Sequence, residues 1–202
     1  QLKEYKAEKI KVKPKQPKDI TIIVGTLSDY SGWVLSKLGD VFETTSGGTP
    51  SRNNPRYYSG NIPWVKSGEL KYNTILDTEE KVSKEAIENS SAKLFPKGTL
   101  LVALYGATVG KLAFLGIEAS TNQAVCGVFE EPYYDHKFLY YYLMFMRPEL
   151  LNQSTGGAQP NISQTILSNL PVPLCSKEEQ LIVVEHIDKL FSLNDEMEKT
   201  IG

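Results

Sequence analysis

Between Val183 and Ile201 the residues Val183, Ile187, Leu190, Asn194, Met197 and Ile201 recur at intervals of four and three. A repeat of this kind keeps its members on one stripe of an α-helix, whereas in a strand it would scatter them over both faces. Just before it, Ser176-Lys177-Glu178-Glu179 has the form of a capping box. The Ser hydroxyl can accept from the Glu179 amide while the Glu179 carboxylate reaches back to the Ser176 amide. These features predict a helix over 177–201, ~37 Å long at the standard rise. With Val183 at a d position, Asn194 falls at an a position, where a polar residue specifies register at a cost in stability. Val184 and Phe191 widen the apolar stripe. Two readings stay open: the stripe seals against a second helix as in a coiled coil, or it packs on the chain's own body.

The preceding residues divide in two. Residues 1–30 read as a Lys-rich linker or arm, with Pro14 and Pro17 and a short β-branched run at Ile20–Val24 that has the composition of a strand. Residues 31–175 read as one folded body, opened by Trp33. Apolar runs at 99–105, 111–116 and 124–130, each bounded by glycine or polar turns, predict buried strands, and shorter runs at 41–45 and 62–66 predict two more. Ser83, Asp135 and Ser163 are placed to cap helices. Pro148 is expected to kink or restart the helix after Asp135, and Pro171-Val172-Pro173 to end the body in an extended segment. The fold class that follows is α+β: a mixed, twisted-sheet domain, then a long C-terminal helix of coiled-coil type over 176–202.

Charge narrows the function. The 202 residues carry a formal net charge of -2. Residues 1–19 set seven Lys against Glu4, Glu8 and Asp19, a net +4, whereas 177–202 hold three Lys and seven acids, a net -4. A free-standing DNA binder usually has a strong basic excess, because neutralised phosphates supply much of its affinity. No apolar run approaches the roughly 18–20 residues that span a bilayer, and no leader pattern opens the sequence, so neither a membrane nor secretion is expected and the expected location is the cytoplasm. Cys126 and Cys175 lack a second Cys or His at ligand spacing, which leaves two buried free thiols or one disulfide open.

No catalytic centre, metal site or cofactor is expected. Gly106 to Leu112 fails as a phosphate loop, with three residues between the glycines and Leu112 where a magnesium-binding hydroxyl belongs. Asn54-Pro55-Arg56-Tyr57 departs from the Asn-Pro-Pro-Tyr motif of amino-methyltransferases at Arg56, with no glycine-rich cofactor loop to support it. His136 and His186, the two histidines, have no nucleophile and orienting acid at hand in sequence. Glu79-Glu80 and Glu130-Glu131 read as solvated faces.

What remains is an ordered set of polar and glycine clusters. Trp33 is followed by Leu38-Gly39-Asp40, Ser46-Gly47-Gly48-Thr49-Pro50-Ser51, Tyr57-Tyr58 and Gly60-Asn61-Ile62-Pro63-Trp64-Val65. Next come Lys97-Gly98-Thr99-Leu100-Leu101, the Gly106–Lys111 turn and Asn122-Gln123-Ala124. Gly156–Ser163, Leu170-Pro171-Val172-Pro173 and Glu179-Gln180 complete the series. In that order, over 33–201, the clusters resemble a target-recognition domain and following helix of the specificity subunit of type I restriction-modification systems. The resemblance implies double-stranded DNA as ligand and two recognition domains that each read half of a split site. It also implies two helices that pair antiparallel as a spacer, and modification (methyltransferase) and restriction (motor and nuclease) subunits as partners. A second recognition half, or a second copy, would then meet the stripe Val183, Ile187, Leu190, Asn194, Met197 and Ile201. The rival is a protein-interaction module on a coiled-coil dimeriser.

On the recognition reading, Arg52, Lys66 and Lys111 are expected to contact phosphates, and Asn122, Gln123 and Gln159 to lie on or near the base-reading surface, since amides pair with adenine edges. Gly47 and Gly48 either supply positive φ in a turn or let the backbone approach phosphate. Trp64 reads as core. Motifs shared by domains that read different sequences cannot encode the difference. Base reading is therefore expected in the stretches between them: Ser67–Thr74, Tyr105–Val109 and Gln153–Gln159.

Overall fold

The computed structural model describes residues 32–154 and 160–201, the side chains of Asp195 and of 198–201 excepted. The 1–30 arm with its expected strand at Ile20–Val24, Gln159, and the Ile201 side chain lie outside the described residues. In chain order the fold contains β1 (Val34–Lys37), α1 (Leu38–Val41), β2 (Thr44–Ser46), β3 (Ile62–Val65), β4 (Asn73–Ile75), β5 (Glu80–Val82), α2 (Lys84–Glu88) and β6 (Leu94–Phe95). It continues with β7 (Leu100–Ala103), β8 (Leu112–Leu115), β9 (Ala119–Thr121), β10 (Val125–Val128), α3 (His136–Asn152), α4 (Gln164–Asn169), β11 (Pro171–Leu174) and α5 (Lys177–Ile201). The class is α+β with a long C-terminal helix.

The capped helices begin where their caps stand, because a side-chain oxygen satisfies amides that the first turn leaves orphaned. Ser83 Oγ accepts from Ala86 N at 3.2 Å, Asp135 Oδ1 from Phe138 N at 2.8 Å, and Ser163 Oγ from Ile166 N at 3.1 Å. At Ser176 the box closes in both directions: Glu179 N donates to Ser176 Oγ at 3.2 Å and Ser176 N to Glu179 Oε2 at 2.8 Å.

One local expectation needs correction, and two others take a definite form. Val41 belongs to the one-turn helix α1, and strand pairing starts only at Thr44. Leu38 is fully buried and its amide donates to Leu170 O at 2.8 Å, so packing overrides the β-preference of Val41 and Phe42. Pro148 sits inside α3, which runs on to Asn152. Pro171–Leu174 is more than an extended exit: it pairs antiparallel with β1, Val34 opposite Leu174 and Lys37 opposite Pro171. A two-stranded edge tolerates prolines, which have no amide to donate.

The other two sheets form the body. One is five-stranded in the order β2-β10-β7-β8-β4; the other is four-stranded, β5-β3-β9-β6. The run Leu100 to Leu104 is apolar throughout because β7 is covered on both faces. Leu100, Val102 and Leu104 enter a core with Phe138, Leu139 and Leu143 of α3, while Leu101 and Ala103 enter a second core with Val65, Phe95 and Ala119 from the other sheet. Leu112 and Ala113 of β8 divide in the same way. A Cβ on Gly127 of β10 would stand 2.6 Å from the Phe95 ring, so glycine is what lets that ring lie against the strand.

The long helix is rooted on the body by its first turns. Gln180, 1% exposed, accepts from Asp135 N at 2.6 Å and donates to Cys175 O at 3.1 Å. Val184 is buried, Asp188 meets Lys137, and the Phe191 ring centre lies 5.8 Å from that of Tyr141. Contacts at 135/180, 137/188 and 141/191 make α5 run in the same direction as α3. Val183 of the heptad stripe packs partly against the body and Ile187 is half-buried, while Leu190 and Met197 are 64% and 62% exposed. Among the described residues no helix is long and apolar enough to cross a membrane. Cys126 and Cys175 are free thiols, each pushed up to about 12, chiefly by burial.

Candidate functional site

Strand register decides which loops meet. The C-terminal ends of the parallel strands β3 and β9 lie side by side, Val65 opposite Thr121. The N-terminal end of β10 meets the C-terminal ends of β2 and β7, Cys126 opposite Ser46 and Val125 opposite Ala103. The N-terminal ends of β8 and β4 follow, Ala113 opposite Asn73. The loops 47–54, 66–72, 104–111 and 122–124 therefore share one rim of the two sheets. Residues 160–161 join them, since Gly106 N donates to Pro160 O at 2.8 Å and Tyr105 bridges Asn161. The long helix begins at the opposite pole, where Lys177 Nζ donates to Pro132 O at 2.9 Å.

On one side of the rim, neither Gly47 nor Gly48 has positive φ. A Cβ on Gly47 would meet Thr121 Oγ1 at 2.0 Å, and one on Gly48 the Ser91 carbonyl carbon at 2.3 Å. Both glycines are there because the 47–48 backbone lies directly against two other segments, a role that neither sequence reading anticipated. Gly48 O also accepts from the indole of Trp64 at 3.1 Å, and Trp64 is 2% exposed, as expected of core.

Four of the six expected contact residues gather beside this turn. Arg52 stacks its guanidinium 4.1 Å from the Tyr58 ring centre and lies 2.6 Å from Glu80 Oε2. Lys66 pairs with Glu79 at 2.8 Å and with Glu80 at 3.1 Å. The Arg52 guanidinium holds the Glu80 carboxyl below the usual carboxylate range, and Lys66 does the same to Glu79. These acids, read in sequence as a solvated face, are the counter-charges of the two cations; nothing in their spacing signalled it, since β5 reaches β3 only in the fold. Asn122 Oδ1 accepts from Ala124 N at 3.2 Å, and Gln123 Oε1 accepts from the Thr49 hydroxyl, so both amides brace the rim.

The other side carries Lys111, partly exposed, whose carbonyl accepts from Ala103 N at 2.9 Å. Around it stand parts of two of the three stretches expected to vary, while residues 155–159 of the third lie outside the described residues. Tyr72 N donates to Leu112 O at 2.8 Å, the 106–109 turn closes by Val109 N to Gly106 O at 3.1 Å, and Arg147 Nε donates to Val109 O at 2.9 Å. Gly106 and Gly110 take φ of 71° and 72°, which only glycine adopts cheaply. Tyr72 and Tyr105 project as exposed aromatic residues, 38% and 41%. Neither was singled out in the sequence, because an isolated Tyr in a polar loop gives no periodic signal.

At the far pole a cleft of about 640 Å³ is lined by Glu130, Asp135, His136, Lys137 and Lys177 among others. Burial lowers the His136 pKa, favouring the neutral ring. Its Nδ1 lies 3.2 Å from Gly98 O, and its Nε2 is buried without a hydrogen-bond partner. Among the described residues no group of three or more His, Cys, Asp and Glu side chains could hold a metal ion.

A two-sheet α+β body with its irregular loops on one rim, handed on to a long capped helix, defines a class that sequence comparison identifies. The model of the type I restriction modification DNA specificity domain matches residues 30–202, and the chain belongs to that family. Among curated relatives, the type I restriction enzyme MjaIX specificity subunit of Methanocaldococcus jannaschii is 29% identical over 167 residues, covering 79% of this chain and 38% of the relative. The EcoR124I/EcoR124II specificity subunit of Escherichia coli is 26% identical over 164 residues, covering 78% and 41%. The chain thus spans about two fifths of the length of these relatives. Among solved structures, the HsdS subunit from Thermoanaerobacter tengcongensis superposes with a TM-score of 0.69 at 19% identity, covering 85% of this chain and 40% of that one. A chain from a study of complex assembly and conformational transition of the type I R-M system gives 0.68 at 18% identity, covering 90% and 46%.

Proposed function

We propose that this chain is a DNA-recognition module of a type I restriction-modification complex, reading one half of a bipartite target without catalysing a reaction itself. The observation that carries this is the convergence on one rim of loops that hold family motifs and of the stretch Ser67–Thr74 that lies between them. Loops 66–72, 104–111 and 160–161 come from distant parts of the chain, and together they present exposed tyrosines, amides and the lysines Lys71 and Lys111. That mixture suits a duplex, where cations position the backbone and polar or aromatic groups meet base edges.

Within this reading Lys111 contacts phosphate. Arg52 and Lys66 do so by exchanging Glu79 and Glu80 for phosphate oxygens. Asn122, Gln123 and Gln159 border the base-reading surface. The exposed stripe of α5 receives a second helix, from another recognition half or a second copy, and the modification and restriction subunits dock on that frame. The near-neutral charge fits a module whose partners supply part of the phosphate neutralisation.

The test is an exchange of Ser67–Thr74 and Gln153–Gln159 for the matching stretches of a relative, in cells that express the subunit with its modification partner. Methylated adenines are then mapped across the genome. A changed methylated sequence is expected; an active complex that still marks the original site would remove these stretches from the base-reading role. Lys111→Ala should weaken binding to specific and scrambled duplexes alike and flatten the salt dependence by about one unit.

A further inference from the structure

Tyr72 is the one non-glycine residue with positive φ, 61°, among the described residues. An L-residue with a bulky side chain rarely enters this region, because its Cβ crowds the following carbonyl. At 98, 106 and 110 the chain meets the same backbone demand with glycine. At 72 it keeps an aromatic side chain instead.

The backbone there is held from several sides. Tyr72 N donates to Leu112 O at 2.8 Å, Lys71 N donates to Asn73 Oδ1 at 2.9 Å, and the Tyr140 hydroxyl donates to Tyr72 O at 3.3 Å. Tyr140 is itself steadied by the Phe114 ring, 5.3 Å between centres. The ring of Tyr72, by contrast, belongs to none of the three apolar clusters among the described residues, and the residue is 38% exposed. Strain that persists in an over-determined loop while the side chain contributes little to the core is characteristic of a residue kept for what it contacts.

We propose that Tyr72 is a specificity-determining residue whose phenol ring packs against a base edge in a groove of the DNA duplex. This rests on the DNA-recognition reading above. The position suits it: the ring stands on the rim between exposed Lys71 and Asn73, with Lys111 adjacent to its hydrogen-bond partner Leu112. A tyrosine brings a rigid apolar face and a polar tip, with few rotatable bonds to order on binding.

The experiment uses the full chain assembled with its modification subunits, a duplex carrying the methylated site mapped in cells, and a scrambled duplex of equal length. Tyr72→Gly keeps the backbone and removes the ring; Tyr72→Phe keeps the ring. Tyr72→Gly should leave the melting temperature unchanged or higher, while the preference for the mapped site over the scrambled duplex falls about tenfold or more. Tyr72→Phe should retain most of that preference. A Tyr72→Gly complex that keeps its full preference overturns the inference. So does one that melts several degrees lower, since the ring would then be a packing element. A wild-type complex with no preference among duplexes would instead overturn the DNA reading on which the inference stands.

Discussion

The ammonium of Lys137 in α3 lies 2.7 Å from the carboxylate of Asp188 in α5, which also accepts from the Tyr141 hydroxyl. Burial favours the protonated acid here, but the two hydrogen bonds together hold the Asp188 carboxyl below its ordinary range. With Val184 and Gln180 one and two turns nearer the helix start, this pair sets the line along which the long helix leaves the body.

The pair is partly exposed, with 47% and 40% of the two side chains accessible, so its Coulomb energy is screened. A double-mutant cycle on Lys137→Ala and Asp188→Ala should therefore give a coupling of at most about 1 kcal/mol in urea unfolding. Gln180→Ala should cost more, about 1–3 kcal/mol, because it removes a buried side chain that serves both the half-buried Asp135 amide and the half-buried Cys175 carbonyl. The opposite order of the two effects would mean that the ion pair, rather than the buried amide, anchors the helix.

Leu190 and Met197 stand clear of the body. Leu190→Asp with Met197→Asp should leave thermal unfolding of the body almost unchanged while abolishing helix pairing in sedimentation velocity. Ile187→Asp should lower both, since Ile187 is already half covered. An assembly state unmoved by the Leu190 and Met197 pair would show that the stripe receives no second helix.

Glu80 restrains Arg52 and Lys66 together. If both cations reach phosphate, Glu80→Gln should raise affinity for a scrambled duplex and steepen its salt dependence by about one unit. Unchanged binding over a salt titration would assign the cluster to bracing the 47–54 loop.

His136 gives a pH signature. Burial holds its folded pKa below the ordinary 6.5, so the unfolded chain binds the proton more readily. Its contribution to stability is complete above about pH 6.5 and falls away as pH drops through that value toward the folded pKa. The melting temperature should decline between pH 7 and 5.5, and His136→Gln should flatten that decline. Calorimetry across the range, with parallel slopes for the two proteins, would assign the acid sensitivity to other groups.

Local rules made much of this protein legible in its sequence. The four helix starts at Ser83, Asp135, Ser163 and Ser176 depend on a side chain and an amide two or three residues away. The continuous apolar runs that became β7, β8 and β10 needed only enough length to show themselves. The order of glycine and polar clusters carried the family, because those positions meet demands of the backbone that a fold repeats.

Tertiary structure decided the rest, because the deciding neighbours are distant in sequence. Strands β4, β5, β6 and β9 are two or three residues long, too short for a period to appear, and they exist through partners that register supplies. Gly47 and Gly48 are glycines because Thr121 and Ser91 lie against them, not because a turn needs positive φ. Arg52 and Lys66 looked like free cations until β5 brought Glu79 and Glu80 alongside. The heptad stripe was visible from its spacing, yet which of its members are covered was set by where Gln180 and Val184 dock the helix. A sequence records what each residue offers; the partner that accepts the offer is chosen by packing across the chain.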